Sequence, residues 1–182
     1  MNHEIAQIAE RLRGLRDALG LNPDQVAEKC GISTSDYLKY ESGKSDIPMS
    51  FLFILAQTFE IDTAELLTGE SARASTFCVT RKGSEVSVER TKAYKYLALC
   101  TGFVGKRADI FVVTVEPNDK DITLNSHAGQ EFNLVIKGSL HLHVGGNDLI
   151  LNEGDSIYFD SSKPHGMKAL GGNKVEFLAV IL

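Results

Sequence analysis

The stretch HAGQEFNLVIKG, residues 127–138, decides the fold of the second half of this chain. Its last eight residues are rich in β-forming types and end in a glycine, which predicts a strand that stops at a turn. His127 stands four residues before Glu131, at the start of this strand. Imidazole and carboxylate are both common metal ligands, so the stretch raises the question of a metal site and of where further ligands would come from.

The two parts of the chain have different periodicities. Residues 4–67 carry helical spacing, as in IAQIAERLRGLRDALG, where positions 5, 8, 12, 15 and 19 are apolar. From residue 86 onwards the sequence breaks into short β-rich runs separated by Gly, Asn, Asp and Pro, which is typical of a sandwich or barrel. The segment GESARAST is small and polar. We therefore predict a helical domain at 1–68, a linker at 69–76 and a β domain at 77–182.

Composition indicates a globular protein without a membrane span. The 182 residues are 43% hydrophobic, and no apolar run approaches the roughly 18 residues that a membrane helix needs. The three cysteines are odd in number and widely spaced, and the N-terminus has no signal-peptide pattern, so we expect a cytoplasmic protein with reduced thiols. Residues 1–70 hold 6 Lys and Arg against 12 Asp and Glu, whereas residues 71–182 hold 13 against 12, so the net charge of −5 comes from the helical part.

Residues 20–43, GLNPDQVAEKCGISTSDYLKYESG, predict two short helices joined by a turn at Gly31. This segment, with Arg16 before it and Glu41 near its end, resembles the helix-turn-helix of Cro/C1 (XRE-type) regulators. The resemblance implies an all-α, lambda-repressor-like domain, an Arg16–Glu41 ion pair, and a third helix that enters the major groove of a double-stranded DNA operator. The implied DNA contacts are Asn22, Ser33, Thr34, Ser35, Lys39 and Lys44. A helical module kept for dimerisation or packing is the alternative.

The pattern H127-x3-E131-x6-G138, followed by G154-D155 and P164-H165, resembles the two motifs of the cupin β-barrels, which have an all-β, double-stranded β-helix fold. The resemblance implies that adjacent antiparallel strands bring His127, Glu131 and His165 to one point inside the barrel. These residues would bind one divalent metal ion, Fe(II) in preference to Mn, Ni or Zn. Many cupins carry a further histidine where this chain has Asn125. The alternative is that the three side chains hydrogen-bond one another or bind a small acid.

A helix-turn-helix before a cupin, with H-A-G-x-E-F and a Y-x-Y strand, is also similar to hydroxypropylphosphonate epoxidase. That resemblance implies a small ligand held by Tyr94, Tyr96 and Arg90, with Asn125 near it. A lysine that the epoxidase helical domain contributes to its active site has no match, because Gly20 stands there. Two functions remain open: a transcriptional regulator with a ligand-sensing cupin, and a mononuclear non-haem iron enzyme.

Two further expectations concern assembly. Helix-turn-helix readers meet successive major-groove faces as pairs, so we expect a homodimer or a tetramer built from dimers. His141 and His143 alternate along one strand and therefore share a face. We expect that face to be the outer or dimer-facing side of the barrel rather than the metal site.

Overall fold

The computed structural model describes residues 3–70, 73–89 and 94–182. The chain divides into two compact units, with the boundary between residues 72 and 73. The first unit is all-α. Its helices are α1 His3–Ala18, α2 Pro23–Lys29, α3 Thr34–Glu41, α4 Met49–Thr58 and α5 Thr63–Thr68.

Local sequence explains where these helices begin. Asn22 caps α2 in a reciprocal capping box: its side chain accepts from the Gln25 N–H, and the Gln25 side chain accepts from the Asn22 N–H, each at 2.9 Å. Ser33 caps α3 and Asp62 caps α5 through a single bond each, in which the side-chain oxygen accepts from a backbone N–H. The turn between α2 and α3 passes through Gly31 at φ 65°, a conformation that favours glycine.

The core of the helical unit is built from the apolar faces that the periodicity predicts. Five apolar side chains from four helices are at most 1% exposed: Ile8 and Leu12 of α1, Val26 of α2, Tyr37 of α3 and Leu52 of α4. Arg11 links α1 to the C-terminus of α5. Its guanidinium donates to the last carbonyls of α5, including that of Leu67 at 2.7 Å. The helices are short, so this shared burial supplies most of their stability.

The second unit is all-β, and every pairing between its nine named strands is antiparallel. Six strands form one sheet in the order β1-β2-β3-β9-β4-β7, and three form another in the order β6-β5-β8. The strands are β1 Val86–Glu89, β2 Tyr94–Leu99, β3 Asp109–Val115, β4 Gln130–Lys137, β5 Ser139–Val144, β6 Asn147–Asn152, β7 Ser156–Asp160, β8 His165–Ala169 and β9 Val175–Ile181.

One face of each sheet is buried, as strict alternation along the strands requires. On β4, residues 131, 133 and 135 are buried, whereas 130, 136 and 137 are exposed. Leu140 and Leu142 are the fully buried residues of β5. Gly138 joins these strands at φ 88°, where glycine is favoured. The inward faces of the two sheets therefore enclose one interior.

The structure corrects two details of the sequence analysis. The sequence did not predict the short strand β8, because its residues, HGMKA, have neither alternation nor a dense apolar pattern. The expectation that adjacent strands bring the three metal ligands together is also wrong. Strand β4 carries Glu131 in the large sheet, whereas β8 carries His165 in the small one. The residues meet across the interior. Among the described residues, no helix is long and apolar enough to cross a bilayer.

Candidate functional site

Backbone hydrogen bonds hold the three candidate ligands in place. His127 lies just before β4, and its N–H donates to the carbonyl of Ser161 at 3.0 Å. His165, the first residue of β8, exchanges two backbone hydrogen bonds with Asn125, of 2.8 and 2.9 Å. Glu131 of β4 pairs with Phe159 of β7 on one side and Ile181 of β9 on the other. Strand pairing or backbone hydrogen bonds therefore hold each candidate ligand.

These three side chains converge in the interior. The Oε2 atom of Glu131 lies 3.5 Å from Nε2 of His127 and 3.8 Å from Nε2 of His165. One ligand atom from each residue lies within 4.8 Å of the other two, and all three residues are buried. The two imidazole rings meet edge to face, with centroids 5.2 Å apart.

The remaining ring nitrogens determine which tautomer each histidine adopts. Nδ1 of His127 lies 3.2 Å from the carbonyl of Ala128, and Nδ1 of His165 lies 2.9 Å from that of Lys163. A carbonyl oxygen only accepts, so each Nδ1 atom carries a proton, and a neutral imidazole at either position would present its Nε2 lone pair to Glu131. The distances of 3.5 and 3.8 Å exceed the roughly 2.7–3.2 Å of an N–H···O hydrogen bond.

Three electron-pair donors that converge in a buried space repel one another unless a cation lies between them. Two neutral imidazoles and one carboxylate are the donor set that borderline first-row divalent metals prefer. Nδ1–H donation to backbone carbonyls is also the usual support of metal-binding histidines. The residues present therefore fit a divalent metal ion.

Sequence analysis missed two polar residues of this interior. Asn133 is 0% exposed, and its Nδ2 donates to Oε1 of Glu131 at 3.0 Å. Ser161, also 0% exposed, gives its carbonyl to His127. The Asn133 Oδ1 and Ser161 Oγ atoms are buried without a hydrogen-bond partner in the described structure. A signal for Asn133 was present, since residue 133 shares a strand face with Glu131 in EFNLVIKG.

The predicted ligand-binding residues have different surroundings. The Tyr94 hydroxyl donates to the carbonyl of Met167 at 2.6 Å, and burial raises the pKa of that hydroxyl. Tyr96 packs edge to face on Phe111. Asn125 is exposed, in contrast to the buried His165 with which it pairs. Arg90 lies outside the described residues.

The outer face of the small sheet carries His141 and His143, away from the three candidate ligands. Both rings contact one carboxylate oxygen of Asp148, at 2.8 and 3.0 Å. These contacts, that of His143 foremost, lower the pKa of Asp148. A shallow cavity of about 290 Å³ lies beside them and is also lined by Leu124 and Lys168. Neither histidine belongs to the three-residue cluster.

A nearly buried ion pair joins the first and third helices of the helical unit. The Nε of Arg16 donates to Oε1 of Glu41 at 2.7 Å, and the Tyr37 hydroxyl donates to the same oxygen at 3.2 Å. The Glu41 hydrogen bond raises the pKa of Arg16, and burial, followed by the Glu41 charge, raises that of Tyr37. The ion pair implied by the regulator resemblance is present.

The residues predicted to contact DNA lie at the N-caps of α2 and α3, along α3 and in the turn after α3. Several have intramolecular partners: the Thr34 hydroxyl donates to Asp24 at 2.7 Å, and Lys39 pairs with Asp36 at 2.9 Å. Hydrogen bonds from Lys39 and then from Ser33 lower the pKa of Asp36. Ser35 and Lys39 are exposed and four residues apart, so they share one face of α3. The capping residues Asn22 and Ser33 and the residue Lys44 are exposed as well.

Fold and site together define a two-domain class, in which a helix-turn-helix unit precedes a β-barrel with an enclosed three-ligand cluster. Residues 9–72 match the family described as "helix-turn-helix domain", and residues 111–181 match the family described as "cupin domain". The chain therefore contains an N-terminal XRE-type helix-turn-helix domain and a C-terminal cupin domain.

Two curated relatives each match part of the chain. The uncharacterized HTH-type transcriptional regulator YobD of Bacillus subtilis is 40% identical over 58 residues, which are 32% of this chain and 52% of YobD. An oxalate-binding protein of Thermotoga maritima is 30% identical over 77 residues, 42% of this chain and 64% of that protein. The chain thus spans between about half and two thirds of the lengths of these two relatives.

Solved structures match the whole layout. An HTH_3 family transcriptional regulator from Vibrio cholerae superposes with a TM-score of 0.74 at 22% identity, over 98% of this chain and 96% of that one. Hydroxypropylphosphonic acid epoxidase from S. wedmorenis superposes with a TM-score of 0.55 at 20% identity, over 100% of both chains. At these identities the similarity concerns the fold alone.

Proposed function

We propose that this protein is a DNA-binding transcriptional regulator whose cupin domain holds one divalent metal ion and responds to a small molecule. The observation that carries the proposal is a helix-turn-helix with an exposed α3, in the same chain as an enclosed cluster of three metal-type donors. The similarity to YobD, whose name describes a transcriptional regulator, supports the DNA-binding half.

The DNA interface would be the exposed side of α3. Ser35 and Lys39 would reach base edges or phosphates, with Thr34 beside them. Asn22, Ser33 and Lys44 would lie nearer the sugar-phosphate backbone of the DNA, whose phosphate oxygens accept from helix N-termini and cations. Because the helical part has twice as many acidic as basic residues, we expect weak nonspecific binding and a shallower salt dependence than that of a basic domain.

A charge reversal tests this interface. Fragments from the promoter region next to the gene, labelled with a fluorophore, are titrated with wild type, Lys39→Glu and Lys82→Glu. The control Lys82 is an exposed lysine of the β unit, and its reversal changes the net charge by the same amount. We expect the Lys39 variant to lose specific binding and the Lys82 variant to keep it. Equal binding by both variants, or no shift of any fragment at low salt, would contradict the proposal.

In the cupin domain, His127, Glu131 and His165 would hold the metal ion through Nε2, a carboxylate oxygen and Nε2. Fe(II) suits this mixed donor set, with Mn, Ni or Zn as possible substitutes. When bound, a divalent ion supplies a positive charge and open coordination positions that attract a small anionic or polar molecule. Tyr94, Tyr96 and Asn125 are the residues proposed to contact that molecule, together with Arg90. The oxalate-binding relative makes oxalate a suitable first probe.

Metal content tests the cluster directly. Protein purified with Fe, Mn, Ni or Zn is measured by elemental analysis, for wild type and for His127→Ala, Glu131→Ala and His165→Ala. His141→Ala is the matched control, because His141 is also a histidine in contact with a carboxylate but lies on the outer face. We expect the three site variants to lose the metal and the control to retain it. Retention in all four variants would show that the metal binds elsewhere.

A regulator of this type would act as a homodimer or as a tetramer built from two dimers. Two recognition helices must meet the major groove about 34 Å apart to read two half-sites. Light scattering at micromolar concentration is the measurement, and a monomer with full DNA affinity would contradict this arrangement.

A mononuclear iron enzyme is the second candidate, and the donor set favours it. Two histidines and one carboxylate leave coordination positions open, as in non-haem iron oxygenases. Reconstitution with Fe(II), followed by oxygen-consumption measurements with hydroxyalkyl phosphonates and hydroxy acids, separates the candidates. Oxygen uptake that depends on substrate and disappears in His127→Ala would favour the enzyme, whereas a metal-dependent DNA shift would favour the regulator.

A further inference from the structure

Asn133 is buried in the barrel interior next to a candidate metal ligand. It lies two residues after Glu131 on β4, so the two side chains share the inward face of the sheet. It pairs with Ala179 on one neighbouring strand and Ile157 on the other, and its own exposure is 0%. A primary amide at such a position needs a reason, because burying it removes its hydrogen bonds to water.

The contact with Glu131 fixes the orientation of this amide. An ionised carboxylate only accepts hydrogen bonds, so the group 3.0 Å from Oε1 must be the NH₂ of Asn133. That bond occupies Oε1 and leaves Oε2, the oxygen that lies 3.5 Å from His127 and 3.8 Å from His165. The two oxygens of Glu131 therefore have different surroundings, one with an amide and one with two imidazoles.

The opposite end of the amide has no such compensation. The Oδ1 atom of Asn133 is buried without a hydrogen-bond partner in the described structure. Buried polar atoms are paired in the great majority of cases, so an unpaired one indicates a constraint other than stability. A leucine of similar size would fill the same space without this cost. Within the described part of the chain, the hydrogen bond that the Asn133 side chain makes is the one to Glu131.

We propose that Asn133 is a positioning residue of the metal site, which holds the Glu131 carboxylate so that Oε2 faces the two imidazoles. The inference rests on the proposed metal site and concerns its affinity rather than the identity of the metal. Hydrogen bonds to metal-ligating carboxylates commonly change affinity by about 10–100-fold, and this one comes from a residue that the motif itself does not include.

Removal of the hydrogen bond and of the unpaired oxygen together gives the test. The full-length protein is freed of metal with a chelator and titrated calorimetrically with Co(II), and the visible spectrum of the Co(II) form is recorded. We expect Asn133→Leu to bind Co(II) about 10–100-fold more weakly, with a changed spectrum, because Glu131 is no longer held. Because the variant also leaves Oε1 of Glu131 without its donor, the melting temperature of the metal-free form is recorded to separate the structural cost from the effect on the metal.

Two further variants keep the result unambiguous. Ser161→Ala removes the other buried unpaired side-chain atom without touching a hydrogen bond to Glu131, so its Co(II) affinity should match wild type. Asn133→Ser keeps a hydrogen-bond donor at the same position and should bind Co(II) with intermediate affinity. This variant also tests the role of Asn133 if the leucine variant does not fold. Wild-type affinity and spectrum in both Asn133 variants would overturn the positioning role alone. Wild type that binds no Co(II), Fe(II), Ni(II) or Zn(II) would overturn the metal site and this role with it.

Discussion

The ion pair between Arg16 and Glu41 gives the most direct test of the helical domain. Arg16→Met keeps the aliphatic stem of the side chain but leaves the Glu41 carboxylate, whose side chain is only 9% exposed, without its cation. Breaking a fully buried pair costs about 3–5 kcal/mol. Because the Arg16 side chain is 16% exposed, water can reach the pair partly, and we expect about 2–3 kcal/mol.

For a unit of this size, that loss should lower the melting temperature by roughly 10–20 °C. Far-UV circular dichroism at the helix band is the assay, since the helices of the described chain all lie in the first unit. Arg13→Met is the matched control. Arg13 is exposed and donates to the backbone carbonyl of Glu41 rather than to its carboxylate, so the change should cost less than about 1 kcal/mol. The reasoning is refuted if Arg16→Met melts within about 2 °C of wild type, or no lower than the control.

Three more predictions concern the β unit. Gly166→Ala should destabilise it by about 1–3 kcal/mol or more, since a Cβ at this buried position would overlap the carbonyl oxygen of Thr123, and thermal melting measures the loss. Tyr94→Phe should lower the free energy of unfolding by about 1 kcal/mol, because the carbonyl of Met167 loses the Tyr94 hydroxyl as a donor. Chemical denaturation measures this loss, and an unchanged midpoint would contradict it. The carboxyl of Asp148 should titrate below the usual aspartate range in carbon NMR spectra and return to that range when both contacting histidines are replaced by glutamine. Because its folded pKa is the lower one, Asp148 should stabilise the fold at neutral pH, and that contribution should disappear as pH falls through the folded pKa.

Much of this architecture could be predicted from patterns within single elements. Helical spacing and the glycine turn at Gly31 predicted the helix-turn-helix, because each signal acts over a few neighbouring residues. The regulator resemblance also predicted the Arg16–Glu41 pair, and the structure contains it. The cupin motif predicted which three residues would cluster, and they do.

Other features depend on contacts between distant strands, which a local pattern does not contain. Strand β8 escaped prediction because its place in the sheet comes from pairing with β5 rather than from its own composition. Alternation in EFNLVIKG places Asn133 on the same strand face as Glu131, but the pairing of β4 with β7 and β9, on which its burial depends, is not contained in that pattern. Likewise, the proton positions on His127 and His165 follow from carbonyl contacts that no spacing rule predicts.

The bridge between Asn125 and His165 has a consequence for how this site can change over generations. Both of its hydrogen bonds come from backbone atoms, so the bridge survives when the side chain at position 125 is replaced. Residues that face each other in an antiparallel pair project to the same side, which puts position 125 next to a candidate ligand. A single nucleotide change converts an asparagine codon into a histidine codon. One mutation could therefore offer a fourth imidazole to the cluster without disturbing the scaffold, so a three-donor barrel and a four-donor barrel are immediate evolutionary neighbours.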